Sequence, residues 1–197
     1  IVDPFAGRAT RAMVASKLGR DYQGYEVSQQ TYTRCMRHFE KFNVSPKLFN
    51  CDGTEMLHTQ NETADLVFTC PPYHNLEKYE TAKNQLSECR TYEEFMTQIK
   101  KCGHNVNRVL KPGAFCVWVV SDWRDMTGSG LRSFHSDLIT AFVNENMVHH
   151  DTIIMKNLSP FAYVQCAKVA SKRYTSKIHE YIMVFRKKGE YEIPEYC

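Results

Sequence analysis

The 197-residue sequence has no run approaching the roughly 18 apolar residues of a membrane-spanning helix, and no pattern of a secretory signal peptide. It has no Cys-x-x-Cys pair and no Cys/His cluster at metal-ligand spacing. Its eight cysteines (Cys35, Cys51, Cys70, Cys89, Cys102, Cys116, Cys166 and Cys197) are scattered, several of them inside apolar stretches, where they read as small buried hydrophobes. A disulfide framework, a zinc site and a bound metal are therefore not expected, and a reducing, cytoplasmic setting is. Internal repeats and low-complexity segments are absent, and the length suits one domain. The net charge of +3 is too mild to identify a polyanionic partner by itself. Its distribution is more informative: Lys156, Lys168, Lys172, Arg173, Lys177, Arg186, Lys187 and Lys188 crowd the last third. The chain opens on Ile1-Val2, without a methionine and already in a strand pattern, so the natural N-terminus is expected upstream.

Strand and helix patterns alternate, which implies an α/β sheet covered on both faces. Ile1–Asp3 reads as a strand end and Arg8–Leu18 as a helix stopped by Gly19. Tyr22–Val27 is a second strand, and Ser28 caps a helix whose Tyr32, Cys35, Met36 and Phe39 form an apolar stripe for core packing. Leu48–Cys51 and the apolar run Ala64–Thr69 follow as strands, the latter buried on both faces as parallel strands are. Glu77–Arg90 is polar and unpatterned and reads as a loop. Thr91-Tyr92-Glu93-Glu94 is a capping box for a helix burying Phe95, Ile99, Cys102 and Val106, ended by Lys111-Pro112-Gly113. Ala114–Val120 is the most β-biased stretch, and a Gly-containing loop spans Met126–Gly130. A helix near Phe134–Asn144 and strands near Val148–Ile154 and Tyr181–Phe185 complete about seven strands and five helices. The aperiodic stretch Asn157–Lys177 is an insertion of functional length.

Two constellations carry chemistry. Asp3-Pro4-Phe5-Ala6-Gly7-Arg8-Ala9-Thr10 joins a strand end to a helix start through small residues, so that backbone can approach a ligand closely. Glu26, after the second strand, is placed to accept from the two hydroxyls of a ribose. Asp52, after the third, could take an adenine amine, or could simply form a turn before Gly53. Cys70-Pro71-Pro72-Tyr73 ends a buried strand, where open α/β sheets bind ligands. Its two prolines stiffen the turn and fix a carbonyl acceptor, and Tyr73 offers a stacking face. Such acceptors draw the lone pair of a ring-conjugated amine out of conjugation and aim it at an electrophilic methyl, with no strong general base required.

Together these residues resemble the amino-methylating DNA methyltransferases, whose loop reads Asp-Pro-Phe-x-Gly-x-Gly-Thr and whose catalytic motif reads Asp, Asn or Ser before Pro-Pro-Tyr. The resemblance extends to Gly24-Tyr25-Glu26-Val27, Leu110-Lys111-Pro112-Gly113 and His179-Glu180-Tyr181. It implies a Rossmann-like methyltransferase fold with S-adenosylmethionine as cofactor. It assigns Asp3, Pro4, Phe5, Ala6, Gly7 and Thr10 to the cofactor loop, Glu26 to the ribose, Asp52 to the adenine, and Cys70, Pro71, Pro72 and Tyr73 to catalysis. Two positions depart from the pattern, Ala9 for glycine and Cys70 for a better hydrogen-bond acceptor. Cysteine is closest in shape to the serine of cytosine N4 enzymes, which favours cytosine over adenine N6. The Asp-Pro-Phe loop precedes the Pro-Pro motif, so the chain resembles a circularly permuted member of bacterial or phage type.

The expected partner is double-stranded DNA, with no membrane, and a homodimer is left open. The target base is flipped onto Tyr73. His74 and Asn75 shape its pocket, Arg124 contacts phosphate, and the stretch 157–177 with Lys168, Lys172 and Arg173 recognises the target. Asp122 could order a loop or the substrate, and Trp123 could be packing. Two alternatives stay open: methylation of RNA or protein by the same chemistry, and a catalytically weak DNA-binding subunit that keeps the fold.

Overall fold

The computed structural model describes residues 1–74, 85–124, 130–156 and 177–190. The elements run β1 (Val2–Asp3), α1 (Thr10–Lys17), β2 (Gln23–Tyr25), α2 (Gln29–Phe42), β3 (Lys47–Phe49), β4 (Ala64–Thr69), a 3-10 turn (Leu86–Glu88) and α3 (Tyr92–Val109). They continue with β5 (Leu110–Val120), β6 (Trp123–Arg124), β7 (Leu131–Arg132), α4 (Phe134–Asn144), β8 (Met147–Lys156) and β9 (His179–Lys187). Seven strands form one sheet in the order β3-β2-β1-β4-β5-β9-β8. Strands β1 to β5 pair in parallel, and β9 runs antiparallel between β5 and β8. This is the expected Rossmann-like, mostly parallel α/β sheet. Because β1 to β4 are parallel, the loops carrying Pro4–Gly7, Glu26, Asp52 and Cys70 all leave from the same edge.

Two apolar clusters cover the sheet. Ala9, Ala12 and Ala15 pack with Cys35, Phe39, Tyr22 and Leu48, the small alanines letting α1 lie close. Phe95, Ile99, Cys102 and Val106 of α3 join Leu138, Ala141 and Phe142 of α4 over Val67, Cys116, Trp118, Met183 and Phe185. The α3 stripe is fully buried as its spacing requires. The α2 stripe is narrower than expected: Cys35 and Phe39 are buried, Tyr32 is half-buried and Met36 is exposed.

Helix starts follow local chemistry. The Ser28 hydroxyl accepts from the Thr31 N–H at 3.1 Å, and the Thr91 hydroxyl from the Glu94 N–H at 3.1 Å. The Glu94 carboxylate reaches back past the cap to the Arg90 N–H at 2.8 Å.

The structure departs from the expected elements in three places. Strand β5 begins at Leu110, directly after α3, because Leu110 already pairs with Ala64 and its carbonyl accepts from Lys187 Nζ at 2.8 Å. A two-stranded ribbon, β6–β7, flanks the stretch read as a loop. Among the described residues there are four α-helices, with the 3-10 turn lying in the segment read as unpatterned loop. No helix among the described residues is long and apolar enough to cross a membrane.

An aromatic stack ties the helix layer to the sheet. Phe142 lies 5.0 Å from Trp118 and 4.7 Å from Phe185, ring centre to ring centre, and all three are fully buried. Phe142→Ala is expected to cost about 3–5 kcal/mol of stability, read as a lowered midpoint in chemical denaturation with an unchanged slope.

Candidate active site

The cofactor loop is organised from beneath by one carboxylate. Asp3 ends β1 and is wholly buried. Its Oδ2 accepts from Arg11 Nε at 2.6 Å and from the Tyr22 hydroxyl at 2.8 Å. Its Oδ1 accepts from the Thr69 hydroxyl at 2.6 Å and the Phe5 N–H at 3.1 Å. Arg11 Nη2 also donates to the Phe5 carbonyl at 2.6 Å. The Tyr22 hydroxyl, buried beside this carboxylate, is pushed far above its ordinary range, first by burial and then by the Asp3 charge. Arg11 loses some basicity to burial, but the Asp3 carboxylate outweighs this and raises its pKa.

Above Asp3 the loop turns through two left-handed residues, Gly7 (φ 56°) and Ala9 (φ 61°). Ala9 occupies a conformation that glycine adopts without cost and that a side chain pays about 1–2 kcal/mol to hold. Its methyl group is fully buried between α1 and α2, which offsets part of that cost. The Phe5 ring meets Trp118 edge-on at 5.8 Å, and the Ala6 N–H donates to the Tyr25 carbonyl at 2.9 Å.

Glu26 follows β2 and accepts from the Ser28 N–H at 2.7 Å. Burial raises its pKa, while hydrogen bonds from the Ser28 and Gly7 backbone pull the other way. Asp52 Oδ1 accepts from both the N–H and the hydroxyl of Thr54, each at 2.8 Å, so this residue does form the local turn. The turn is packed hard against the cofactor loop: a Cβ on Gly53 would stand 1.8 Å from the Pro4 carbonyl oxygen. Arg108 of α3 fastens the following segment by donating to the carbonyls of Glu55, Met56 and Thr59.

Cys70-Pro71-Pro72-Tyr73 leaves β4 with Pro71 buried and the other three half-buried. The Tyr73 ring stands edge-on to Trp123 at 5.4 Å. Trp123 is held in turn by Phe134 at 5.4 Å, Tyr92 at 6.0 Å and Phe95 at 6.1 Å. A single cavity of about 680 Å³ joins the two constellations. Pro4, Phe5, Ala6, Gly7, Thr10, Glu26 and Asp52 line it together with Cys70, Pro71, Pro72 and Tyr73.

Two expected residues do not reach that wall. Asp3 lies behind it, its oxygens taken up by protein donors. His74 donates through Nε2 to the Cys89 carbonyl at 2.9 Å and packs near Phe95 and Tyr92, which makes it a brace for the Pro-Pro turn. Asp122 is likewise internal: it accepts from the N–H and Nδ1 of His135 at the start of α4. Arg124 is exposed on the β6–β7 ribbon.

The basic C-terminal run is partly structural. Lys177 bonds Ser121 and the Asp122 carbonyl, Arg186 the Gly113 carbonyl, and Lys187 bonds Glu62 and the Leu110 carbonyl. Lys168, Lys172, Arg173, Asn75 and the stretch 157–176 lie outside the described residues. The motifs did not flag Arg11, Gly53 or Gln85-Leu86-Ser87, all on the cavity wall. Only Gly53, a glycine in a tight turn, carried a sequence signal.

The family model of the N6/N4 DNA methylases matches residues 64–196, about two thirds of the sequence. The chain belongs to the N6/N4 DNA methylase family. It is similar to the type II methyltransferase M.MthZI of Methanothermobacter thermautotrophicus, 23% identical over 159 residues that cover 73% of this chain and 45% of that one. The chain thus spans less than half the length of this relative. Among solved structures it resembles a protein of Thermus thermophilus assigned as a DNA modification methylase. There the identity is 23%, the TM-score 0.54, and the coverage 73% of this chain and 53% of that one. A SAM-dependent methyltransferase of Methanosarcina mazei superposes at TM-score 0.64 over 96% of this chain and 92% of that one, at 11% identity, and shows the shared fold.

S-adenosylmethionine is the cofactor this membership assigns, and the residues fit it. The cavity has the volume of a small-molecule site, and the Glu26 and Asp52 carboxylates line it together with the Pro-Pro turn.

The close seat of Gly53 under Pro4 gives a direct test. Gly53→Ala is expected to destabilise the protein by about 1–3 kcal/mol or more, since backbone rather than a flexible side chain must give way. Thermal unfolding measures this, and an unchanged midpoint would contradict the packing.

Proposed function

We propose that this chain methylates the exocyclic amino group of a base flipped out of double-stranded DNA, using S-adenosylmethionine. The observation that carries this reading is the continuity of one cavity from Glu26 and Asp52 to Cys70-Pro71-Pro72-Tyr73. A ligand held by its nucleoside at the first end extends toward a base held at the second. When bound, the cofactor supplies an electrophilic methyl group. Glu26 accepts from the ribose hydroxyls, and Asp52 accepts from the adenine amine while its Oδ1 keeps the Thr54 turn. Pro4, Phe5, Ala6, Gly7 and Thr10 form the floor beneath the remainder.

At the other end the Pro71 carbonyl and Cys70 accept from the protons of the target amine, which turns its lone pair toward the methyl group. Pro72 stiffens the turn, and the base stacks on Tyr73, whose ring Trp123 holds at a fixed angle. With sulfur a weak acceptor, the Pro71 carbonyl carries most of the activation. The shape of Cys70 favours cytosine N4 over adenine N6. Arg124 and the basic positions Lys168, Lys172 and Arg173 serve the phosphate backbone, with 157–177 as the target-recognition element. A circularly permuted order is part of this reading, carried by the Asp3-Pro4-Phe5 loop preceding Cys70-Pro71-Pro72-Tyr73 in the chain.

Mass spectrometry of nucleosides from treated DNA tests the reaction: N4-methylcytosine is the expected product, N6-methyladenine would correct the base, and transfer only to RNA or protein would sink the reading. Pro71→Ala and Tyr73→Ala are expected to lower turnover by about 100-fold or more, because the target amine loses its near-attack position. Cofactor affinity, read by calorimetry, stays within a few fold in both. Glu26→Ala weakens cofactor binding instead. Because burial holds the Glu26 carboxyl above its usual range and only the ionised form accepts both hydroxyls, affinity falls as pH drops through that raised value. Glu26→Gln flattens this dependence.

A further inference from the structure

Asp3 is a residue that the resemblance assigns to the cofactor loop, yet its carboxylate is wholly buried and receives donors from Phe5, Arg11, Tyr22 and Thr69. A carboxylate offers about four lone-pair sites, so these partners leave no acceptor for a ligand. Arg11, the second residue of α1, both bonds Asp3 and lines the cavity. Its Nε and Nη2 are committed to Asp3 and to the Phe5 carbonyl, while Nη1 makes no hydrogen bond among the described residues. The Arg11 side chain is 27% exposed and lines the cavity together with Phe5 and Cys70.

We propose that Arg11 binds the carboxylate of the cofactor's amino-acid end through its outward edge, with Asp3 acting as the residue that positions it. This rests on the reading of the cavity as the S-adenosylmethionine site. The charges along the cavity support the assignment. Glu26 and Asp52 are acidic parts of the lining and repel a carboxylate, whereas Arg11, within Coulombic reach of Cys70, is a cationic part held in place by Asp3. A ligand with a sugar diol at one end and a carboxylate at the other therefore has one favourable orientation, the one that directs its sulfonium toward the Pro-Pro turn.

Arg8 and Arg34 also line the cavity but are exposed, without the buried anchor that fixes Arg11. A guanidinium suits both roles, because its planar fork can hold Asp3 on one edge and present further N–H groups on another, which a lysine ammonium cannot do. The Asp3 charge keeps it cationic despite burial.

Calorimetry with two probes tests the assignment: S-adenosylhomocysteine, which carries the amino-acid end, and 5′-methylthioadenosine, which lacks it. The unaltered protein is expected to bind the first more tightly by about tenfold or more, the worth of a charge-assisted contact. Arg11→Gln should weaken S-adenosylhomocysteine by about tenfold and leave 5′-methylthioadenosine within about twofold, so that the preference collapses. Arg11→Lys keeps a cation beside Asp3 and shows the same selective loss, and it decides the matter should the glutamine variant fail to fold. Equal losses for both probes, or no loss for either, would overturn the role of Arg11. Failure of the unaltered protein to bind both probes would overturn the cofactor reading and the Arg11 assignment with it.

Discussion

The site depends on the buried carboxylate of Asp3. Stripped of water, such a charge costs several kcal/mol unless it is paired and hydrogen-bonded. Here its four partner residues come from four parts of the chain: Phe5 in the loop, Arg11 in α1, Tyr22 before β2 and Thr69 at the end of β4. Each donor that satisfies Asp3 also fixes the element it belongs to. The Pro4–Thr10 loop, the first helix and the strand that carries the Pro-Pro motif are thereby held to one point beneath the floor of the cavity.

Apolar contacts extend that control outward. The Phe5 ring rests on Trp118, which rests on Phe142, which stacks on Phe185, so the cofactor loop is continuous with the core under α4. Around the Pro-Pro turn the chain of rings runs from Tyr73 through Trp123 to Phe95 and Phe134. A ring braced by other rings in a close-packed interior has little freedom to rotate. The Asp52-Gly53-Thr54 turn completes the frame, pressed against Pro4 and fastened further along by Arg108.

Most of the fold was legible because its signals are local. The α3 stripe of Phe95, Ile99, Cys102 and Val106 repeats at helical spacing, and all four are fully buried. The caps at Ser28 and Thr91 depend on residues three positions on. The β6–β7 ribbon was not legible, since strands this short have no periodicity to display, and Met36 was misplaced because a stripe of four apolar residues does not say how much of it the sheet covers. The motifs located the two ends of the cavity, yet Asp3 and His74 turned out to serve the frame and not its wall. A motif names a residue type at a position; it does not say which way a carboxylate or a ring is spent.

The sequence by itself determined the alternation of strands and helices and the two motifs, because each is written within a few neighbouring residues. Only the tertiary structure decided that Asp3 is consumed by a hydroxyl 19 residues away and another 66 residues away. It alone brought Arg11, Gly53 and Gln85-Leu86-Ser87 to the cavity. Those outcomes depend on how far apart in the chain the partners of a buried charge and the walls of a cavity lie, and the parallel sheet, by gathering its loops on one edge, is what brings them together.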